Sequence, residues 1–295
     1  MRGLEFKKFA VHSKFAGGHG SDLRQNSQVS IHQFTPRRNR RRGIPRRAQK
    51  LLQGVLAIAI LFQICYPLVS GQALLFVTFG TVYAGALAML VHAYYSYGFR
   101  YFASYFGITF IFAFAVEEVG ARTGWPFGNY SYDSSLGVFI SSVPLIVPFA
   151  WIMMAHPVLV AARRVTSNWI FLYGGALLMA WDLFLDPQMV SAGRWKWDFE
   201  GAHVPFQSEI PISNTAGWLF AGMGLMALLN ALLPKERRKE SAGIGAVDVF
   251  LGWTLFAGIV GNLFFFSRPG VAGFAGAVFL TLLSPYIYSR WFGQP

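Results

Sequence analysis

The sequence carries little charge and a single cysteine. Only 13% of its 295 residues are charged, whereas an ordinary soluble domain has about 25%. Hydrophobic residues make up 54%, and the mean hydropathy is +0.43. The 29 Phe, 12 Tyr and 9 Trp are too many for a water-facing surface to carry. These values exclude a soluble single-domain enzyme and predict a multi-pass protein of the cell membrane.

Sequence signals for cofactor chemistry are also missing. Cys65 lies inside an apolar run, so the chain has no disulfide and no thiolate metal site. The six histidines show no metal-ligand spacing, and we expect no metal ion. The chain has no Walker motif, no dinucleotide fingerprint and no nucleophile elbow.

Most of the positive charge is confined to one end of the chain. Residues 1–50 hold 13 of the 25 Lys and Arg and only two acids, which gives this segment +11 and leaves +1 for the rest. Its densest part precedes the first apolar run, a pattern typical of a cytoplasmic topology signal that contacts anionic membrane lipids. We therefore expect no nucleic-acid partner. The predicted division is a basic, disordered segment at 1–50 and a transmembrane catalytic bundle at 51–290.

Eight apolar runs are long enough, or nearly so, to cross a bilayer as helices, which predicts an all-α membrane bundle. They lie at about 51–70, 73–92, 100–118, 138–161, 168–186, 213–233, 246–266 and 271–289. With both termini cytoplasmic, 21 Lys and Arg fall on the cytoplasmic side and four on the other. The positive-inside rule favours that orientation, and seven spans is the alternative.

The acids follow the opposite distribution. Eight of the 13 lie at the non-cytoplasmic ends of the third and fifth spans or in the loops that follow them, 119–137 and 187–212. Those loops are the longest between spans and are rich in Gly, Pro, Trp and Tyr. Long ordered loops on one face of a bundle commonly carry the functional residues, so we expect the site there.

Four acids in these spans are candidates for chemistry. Asp182 and Asp186 are four residues apart and share one helix face, whereas Glu117 and Glu118 point about 100° apart. Glu118 can pair with Arg122, which leaves Glu117 for the bundle interior. The two aspartates are interpreted as an acid and a base that line a cavity. The structural alternative is that they cap loop amides or pair with basic residues such as Arg194 or Lys196.

Aromatic residues cluster at the same face of the predicted bundle. Their two interpretations are an interfacial belt and a set of rings folded over the mouth of a cavity. Aromatic faces in the second arrangement would stabilise a carbocation by cation–π attraction. The candidate substrate-binding residues are Trp125, Phe127, Tyr130, Tyr132, Trp195, Trp197 and Trp218.

Three motifs resemble an integral-membrane carotenoid biosynthesis family, which includes carotenoid 1,2-hydratases and bisanhydrobacterioruberin hydratases. The segment 117–132 matches the family pattern E-x-x-G-x-x-T-G-x-P-F-G-x-Y-x-Y. The other two are Trp181-Asp-Leu-Phe-Leu-Asp-Pro187, followed by Gly193-Arg-Trp-Lys-Trp197, and Pro211-Ile-Ser-Asn-Thr-Ala-Gly-Trp218. The resemblance covers about residues 50 to 290. The chain departs from the pattern at 207–211, where Gln-Ser-Glu-Ile-Pro replaces a shorter Gly-Ile-Pro approach.

The resemblance implies cofactor-independent hydration of the C1,C2 double bond of a ψ end group, as in lycopene, γ-carotene or a C50 relative. Glu117, Asp182, Asp186 and Asn214 match the family motifs and are the implied catalytic residues. Asp182 or Glu117 is expected to donate the proton, with Asp186 and Asn214 positioning water or holding the donor. The implied partners are the lipophilic carotenoid substrate and, as candidates, other carotenoid pathway enzymes.

Two other functions use the same features. A cyclase or another isoprenoid-modifying enzyme would need the same acid and aromatic cage, but its cation would lose a proton where the hydratase adds water. A membrane transporter is the non-enzymatic alternative, in which the buried acids would serve uptake.

Overall fold

The computed structural model describes residues 45–234 and 245–292. Within these ranges, eight helices are long and apolar enough to cross a membrane, which confirms the predicted all-α, multi-pass bundle. They are α1 (Arg46–Cys65), α2 (Gly71–Tyr97), α3 (Phe99–Thr123), α4 (Ile146–Val165), α5 (Ile170–Ser191), α6 (Ile212–Leu232), α7 (Gly245–Val260) and α8 (Pro269–Trp291). Most of the predicted basic segment, residues 1–44, lies outside the described residues.

Short elements extend or connect these helices. A 3₁₀ turn at Tyr66–Leu68 follows α1, another lies at Ser134–Leu136, and a π-helical turn at Gly261–Phe265 continues α7. Within the described ranges, six short strands form three antiparallel ribbons, in which β1 pairs with β4, β2 with β3 and β5 with β6. The strands are β1 (Tyr130–Tyr132), β2 (Phe139–Ile140), β3 (Val143–Pro144), β4 (Trp195–Trp197), β5 (His203–Val204) and β6 (Gln207–Pro211).

Two helix starts differ by more than two residues from the predicted spans. The first helix begins at Arg46 rather than at 51, because long basic side chains in a first turn can reach beyond the apolar layer. The fourth begins at Ile146 rather than at 138, since residues 139–144 form the β2–β3 hairpin. Ser141 has a positive φ of 55° in its turn, and the Ser142 amide donates to Glu118 Oε2 at 3.1 Å. The Ser142 amide thus has a hydrogen-bond acceptor although it lies outside a helix.

The fifth helix runs to Ser191, although the apolar run predicted an end at 186. Pro187 lies inside it and has no amide hydrogen to donate to the Leu183 carbonyl one turn earlier. Gln207 Nε2 of β6 donates to that carbonyl at 3.1 Å. The loop thus replaces the missing helix hydrogen bond, and α5 continues past the proline.

The centre of the bundle is α4, in which 15 of the 20 residues are buried. Among the described residues, α4 packs against α2, α3, α5 and α8. The loop after α3 and the loop after α5 lie at one end of this core, next to the end of α3, the end of α5 and the start of α6. This end of the bundle holds the acids that the sequence singled out.

Candidate active site

Strands β1 and β4 join the two long loops into one ribbon over the end of the bundle. Tyr130 pairs with Trp197 and Tyr132 pairs with Trp195 in its register. Alternate residues of a strand share a face, so all four rings project to the same side. Lys196, between the two tryptophans, lies on the opposite and exposed side. The ribbon therefore forms an aromatic cover over the helix ends.

Two acids of α5 and one amide of α6 meet beneath this cover. Asn214 Nδ2 donates to Asp182 Oδ2 at 3.0 Å and to Asp186 Oδ2 at 2.5 Å. Trp195 Nε1 donates to Asp186 Oδ1 at 3.1 Å. Asp182 is 1%, Asp186 3% and Asn214 1% exposed. One side-chain nitrogen thus holds an oxygen of each carboxyl group in a site closed to bulk water.

The third acid, Glu117, is anchored by three donors. Trp151 Nε1 donates to its Oε1 at 3.0 Å, and the hydroxyls of Tyr130 and Tyr132 donate to its Oε2 at 2.8 and 2.7 Å. Burial and the neighbouring Glu117 carboxylate raise the pKa of both loop tyrosines above the ordinary value of 10.0. The phenols are therefore neutral donors at physiological pH, and Glu117 is an acceptor fixed in one orientation.

A cavity of about 70 Å³ lies between the aspartate pair and Glu117. Its walls combine four polar side chains, Thr78, Glu117, Asp186 and Asn214, with aromatic rings and with aliphatic side chains from α2, α4 and α5. The lining residues are Thr78, Val82, Glu117, Phe127, Tyr130, Tyr132, Leu136, Ile146, Val147, Ala150, Trp151, Leu185, Asp186, Met189, Trp195, Trp197, Asn214 and Trp218. We call this space the acid cavity.

Most of the sequence candidates surround the acid cavity. Asp182 does not line it but lies behind Asp186, and its Oδ1 is buried without a hydrogen-bond partner among the described residues. Trp125 is the aromatic candidate that the fold leaves outside, since its side chain is 70% exposed and is absent from the cavity wall. The remaining predicted residues, Glu117, Asp186, Asn214, Phe127, Tyr130, Tyr132, Trp195, Trp197 and Trp218, all line it.

Arg194, one of the two basic residues named as alternative partners for the aspartates, bonds elsewhere. Arg194 Nη1 donates to Ser135 Oγ at 2.9 Å, and the backbone carbonyl of Arg194 accepts from the Asp133 amide. In the described part of the chain, the ion pairs are Arg122 with Glu118 and Arg290 with Asp248, so Glu117 and the two aspartates have no cationic partner. The structure therefore contradicts the alternative interpretation of Asp182 and Asp186 as members of ion pairs.

Two residues of the site were not among the sequence candidates. Trp151 of α4 donates to Glu117 and stacks on Trp218 at a centroid distance of 4.3 Å, with the rings 10° from parallel. Its signal in the sequence was only an indole within a largely apolar helix. Gln207 was noted for its departure from the family pattern, and the structure places it under the α5 backbone beside the aspartates.

Comparison with known proteins identifies the family of this chain. The chain is 33% identical over 119 residues to a protein named bisanhydrobacterioruberin hydratase from Haloarcula japonica. That match covers 38% of this chain and 39% of the relative, so it spans well under half of either protein. No solved structure matches. Residues 53–282 match the model of the family described as carotenoid biosynthesis protein, and the chain therefore belongs to that family.

Proposed function

We propose that this protein is a carotenoid hydratase that adds water to the C1,C2 double bond of a ψ end group. The observation that carries the proposal is the buried pair Asp182 and Asp186, held by Asn214 at the wall of an aromatic cavity. The name of the Haloarcula japonica relative, a hydratase, supports water addition as the reaction. Lycopene, γ-carotene or a C50 carotenoid with the same end group would be the substrate.

The chemistry of the double bond determines what the site must supply. A trisubstituted alkene has no leaving group and no acidic hydrogen, so the reaction begins with transfer of a proton to C2. The positive charge then resides on C1, which is tertiary. A protein group that protonates an alkene must be a neutral acid in a site with little water.

Asp186 is the proton donor in this proposal, because it lines the acid cavity and Asp182 does not. Two carboxyl groups beside one amide, buried and without a cation, cannot both be ionised at low cost. The pair therefore holds one proton. Asp186 transfers it to the substrate, and Asp182, which does not reach the cavity, shares it with Asp186.

Glu117 stabilises the cation and receives the proton of the attacking water. Its carboxylate faces the acid cavity, where the rings of Trp151, Trp218 and Tyr132 present further electron-rich surfaces. Water adds its oxygen to C1 and gives one proton to Glu117 as the carbon–oxygen bond forms. That proton returns to the aspartate pair before the next turnover, so the reaction consumes one alkene and one water.

We also infer that residues 51–290 form the catalytic bundle and that the acid cavity lies at its non-cytoplasmic end. Arg46 and Arg100 start helices, and Arg163 and Arg290 end them, at the end of the bundle opposite the site. Accessibility of a tag at the N-terminus and of a tag in the 198–202 loop, measured in sealed vesicles, tests this orientation. Labelling of the N-terminal tag from the outside would reverse it.

The function is tested by expression in a bacterium that accumulates lycopene, with pigments separated by chromatography and weighed by mass spectrometry. A new, more polar pigment heavier by one water is the expected product. A new pigment of unchanged mass would indicate cyclisation or isomerisation instead. An unchanged profile with lycopene, γ-carotene and a C50 precursor, despite correctly inserted protein, would refute the hydratase assignment.

A further inference from the structure

A second, larger cavity adjoins the acid cavity inside the bundle. Its volume is about 340 Å³, and it is bounded by α1, α2, α4, α5, α7 and the π-helical turn after α7. Five residues line both cavities, so the two spaces share a wall: Thr78, Val82, Ala150, Leu185 and Met189. We call the larger space the chain cavity.

The walls of the chain cavity are mainly apolar. Met153, Met154, Phe184 and Phe250 form its inner side, and the catalytic acids are absent from it. Pockets for organic ligands commonly have volumes of about 300–1,000 Å³ and are lined mostly by apolar side chains. The chain cavity thus suits a hydrocarbon, and its position beside the acid cavity suits the remainder of a substrate whose end reacts there.

The rim of the chain cavity faces the outside of the bundle. Ile64 and Leu68 at the end of α1, and Phe256 and Phe265 on and after α7, line the cavity and are also exposed. On a multi-pass membrane protein, exposed apolar side chains of this kind face lipid. A hydrophobic molecule could therefore pass between α1 and α7 from the bilayer into the chain cavity without crossing water.

The small volume of the acid cavity also bears on which end of a carotenoid can enter it, an acyclic end or a ring. An apolar cavity of about 150 Å³ binds benzene, and the acid cavity has less than half of that volume. A substituted cyclohexene ring is bulkier than benzene, whereas an isopropylidene end is a narrow, flat group. Because the isopropylidene end has fewer carbon atoms than a substituted ring, the small acid cavity favours an acyclic end over a ring.

From these observations we propose that the chain cavity is the binding site for the polyene of the substrate, which enters laterally between α1 and α7 with an acyclic end leading. The inference rests on the proposed function for the identity of the reacting end. It adds the path of entry, the location of the unreactive chain and selection against cyclic ends. A phospholipid acyl chain is the competing occupant.

Larger side chains that fill the chain cavity at positions outside the wall of the acid cavity test this proposal. Ala257 of α7 and Thr81 of α2 line the chain cavity but not the acid cavity. Ala257→Phe and Thr81→Phe would occupy the space of the polyene. Ala57→Phe, at an exposed position of α1, adds the same bulk outside. Thr81→Val is the volume control, since the Thr81 hydroxyl has no hydrogen-bond partner among the described residues.

The readout is the lycopene retained by purified protein after incubation and gel filtration, measured by visible absorbance. The C1,C2 bond is not conjugated with the polyene, so hydration does not change this signal. We expect both Phe variants in the cavity to retain lycopene at least about tenfold less than the wild type, with Ala257→Leu intermediate. Ala57→Phe and Thr81→Val should retain it fully. The wild type should retain β-carotene, with two rings, at least about tenfold less than lycopene.

Each outcome decides a separate question. Loss of retention in the Phe variants, with no hydrated product from lycopene, γ-carotene or a C50 precursor in the wild type, would support the chain cavity and refute the proposed reaction. Retention at the wild-type level in monodisperse Ala257→Phe and Thr81→Phe would overturn the chain cavity, whatever the wild type produces. If those variants instead lose co-purified phospholipid, the occupant is a lipid. Equal retention of β-carotene and lycopene would overturn selection by the end group.

Discussion

Asp182 and Asp186 accept hydrogen bonds from the same nitrogen of Asn214, yet only Asp186 lines the acid cavity. The two residues are one helical turn apart on α5. They therefore lie on the same face of the helix but at different positions along its axis. One carboxyl group can meet a substrate, and the other can act only through its neighbour. In the proposed function, Asp186 is the catalytic residue and Asp182 is a positioning residue.

The first prediction compares these two acids. Asp186→Asn should lower the rate of lycopene hydration by about 10²–10⁴-fold, the usual contribution of a general acid. Asp182→Asn should cost less and shift the pH profile of the rate, because the proton shared by the pair is then held by Asp186 alone. Initial rates in isolated membranes between pH 5 and about 9 would measure both effects. A larger loss in Asp182→Asn than in Asp186→Asn would reverse the assignment.

Adjacent glutamates on α3 give a matched pair for the second prediction. Glu117 lines the acid cavity, whereas Glu118 lies outside it and bonds with Arg122, Ser141 and Ser142. Glu117→Gln removes the charge that faces the cation, and we expect a loss of about 10²–10³-fold in rate. Glu118→Gln should keep most of the activity. Equal rates for the two variants would show that Glu117 has no part in catalysis.

The third prediction concerns stability at high pH. Burial and the Glu117 carboxylate raise the pKa of Tyr130 and of Tyr132 above the ordinary 10.0. Below pH 10 both phenols are neutral whether the chain is folded or unfolded, so their full contribution to the free energy of unfolding is present there. Above about pH 10 the unfolded chain releases these protons and the folded chain keeps them, so the free energy of unfolding falls as pH rises.

Thermal unfolding in detergent between pH 8 and about 11 would measure this fall. Tyr130→Phe and Tyr132→Phe remove the ionisable groups, and each should make the decline above pH 10 shallower. The hydroxyls also bond to Glu117, so each variant should be less stable than the wild type at pH 8. Curves that run parallel to the wild type throughout would contradict the proposed cause.

The fourth prediction concerns the contact that lets α5 continue past Pro187. Gln207→Leu leaves the Leu183 carbonyl without its loop donor, and we expect a loss of about 1–3 kcal/mol in the free energy of unfolding. Because Leu183 lies between the two aspartates in the chain, the hydration rate should fall as well. Ser208→Ala, at an exposed neighbouring position, is the control. An unchanged melting temperature in Gln207→Leu would show that the bond does not stabilise the helix.

The number of membrane-spanning helices could be predicted from the apolar runs in the sequence. An apolar run of about 20 residues has to span a bilayer as a helix, because only a helix satisfies its backbone groups there. The helix boundaries depended on more than hydropathy. The hairpin at Ser141 and the donor from Gln207 each satisfy backbone groups through residues distant in sequence, and a count of apolar residues does not detect such partners.

The sequence by itself determined the eight spans, the asymmetry of charge and the set of acids and aromatics that converge at one end of the bundle. Those properties are local, because they depend on residue type and spacing along a single helix. Only the tertiary structure decided that Asp186 rather than Asp182 reaches the cavity, that Trp125 faces away and that Trp151 of α4 holds Glu117. These relationships join side chains from different helices and loops, and the packing of those elements fixes their distances.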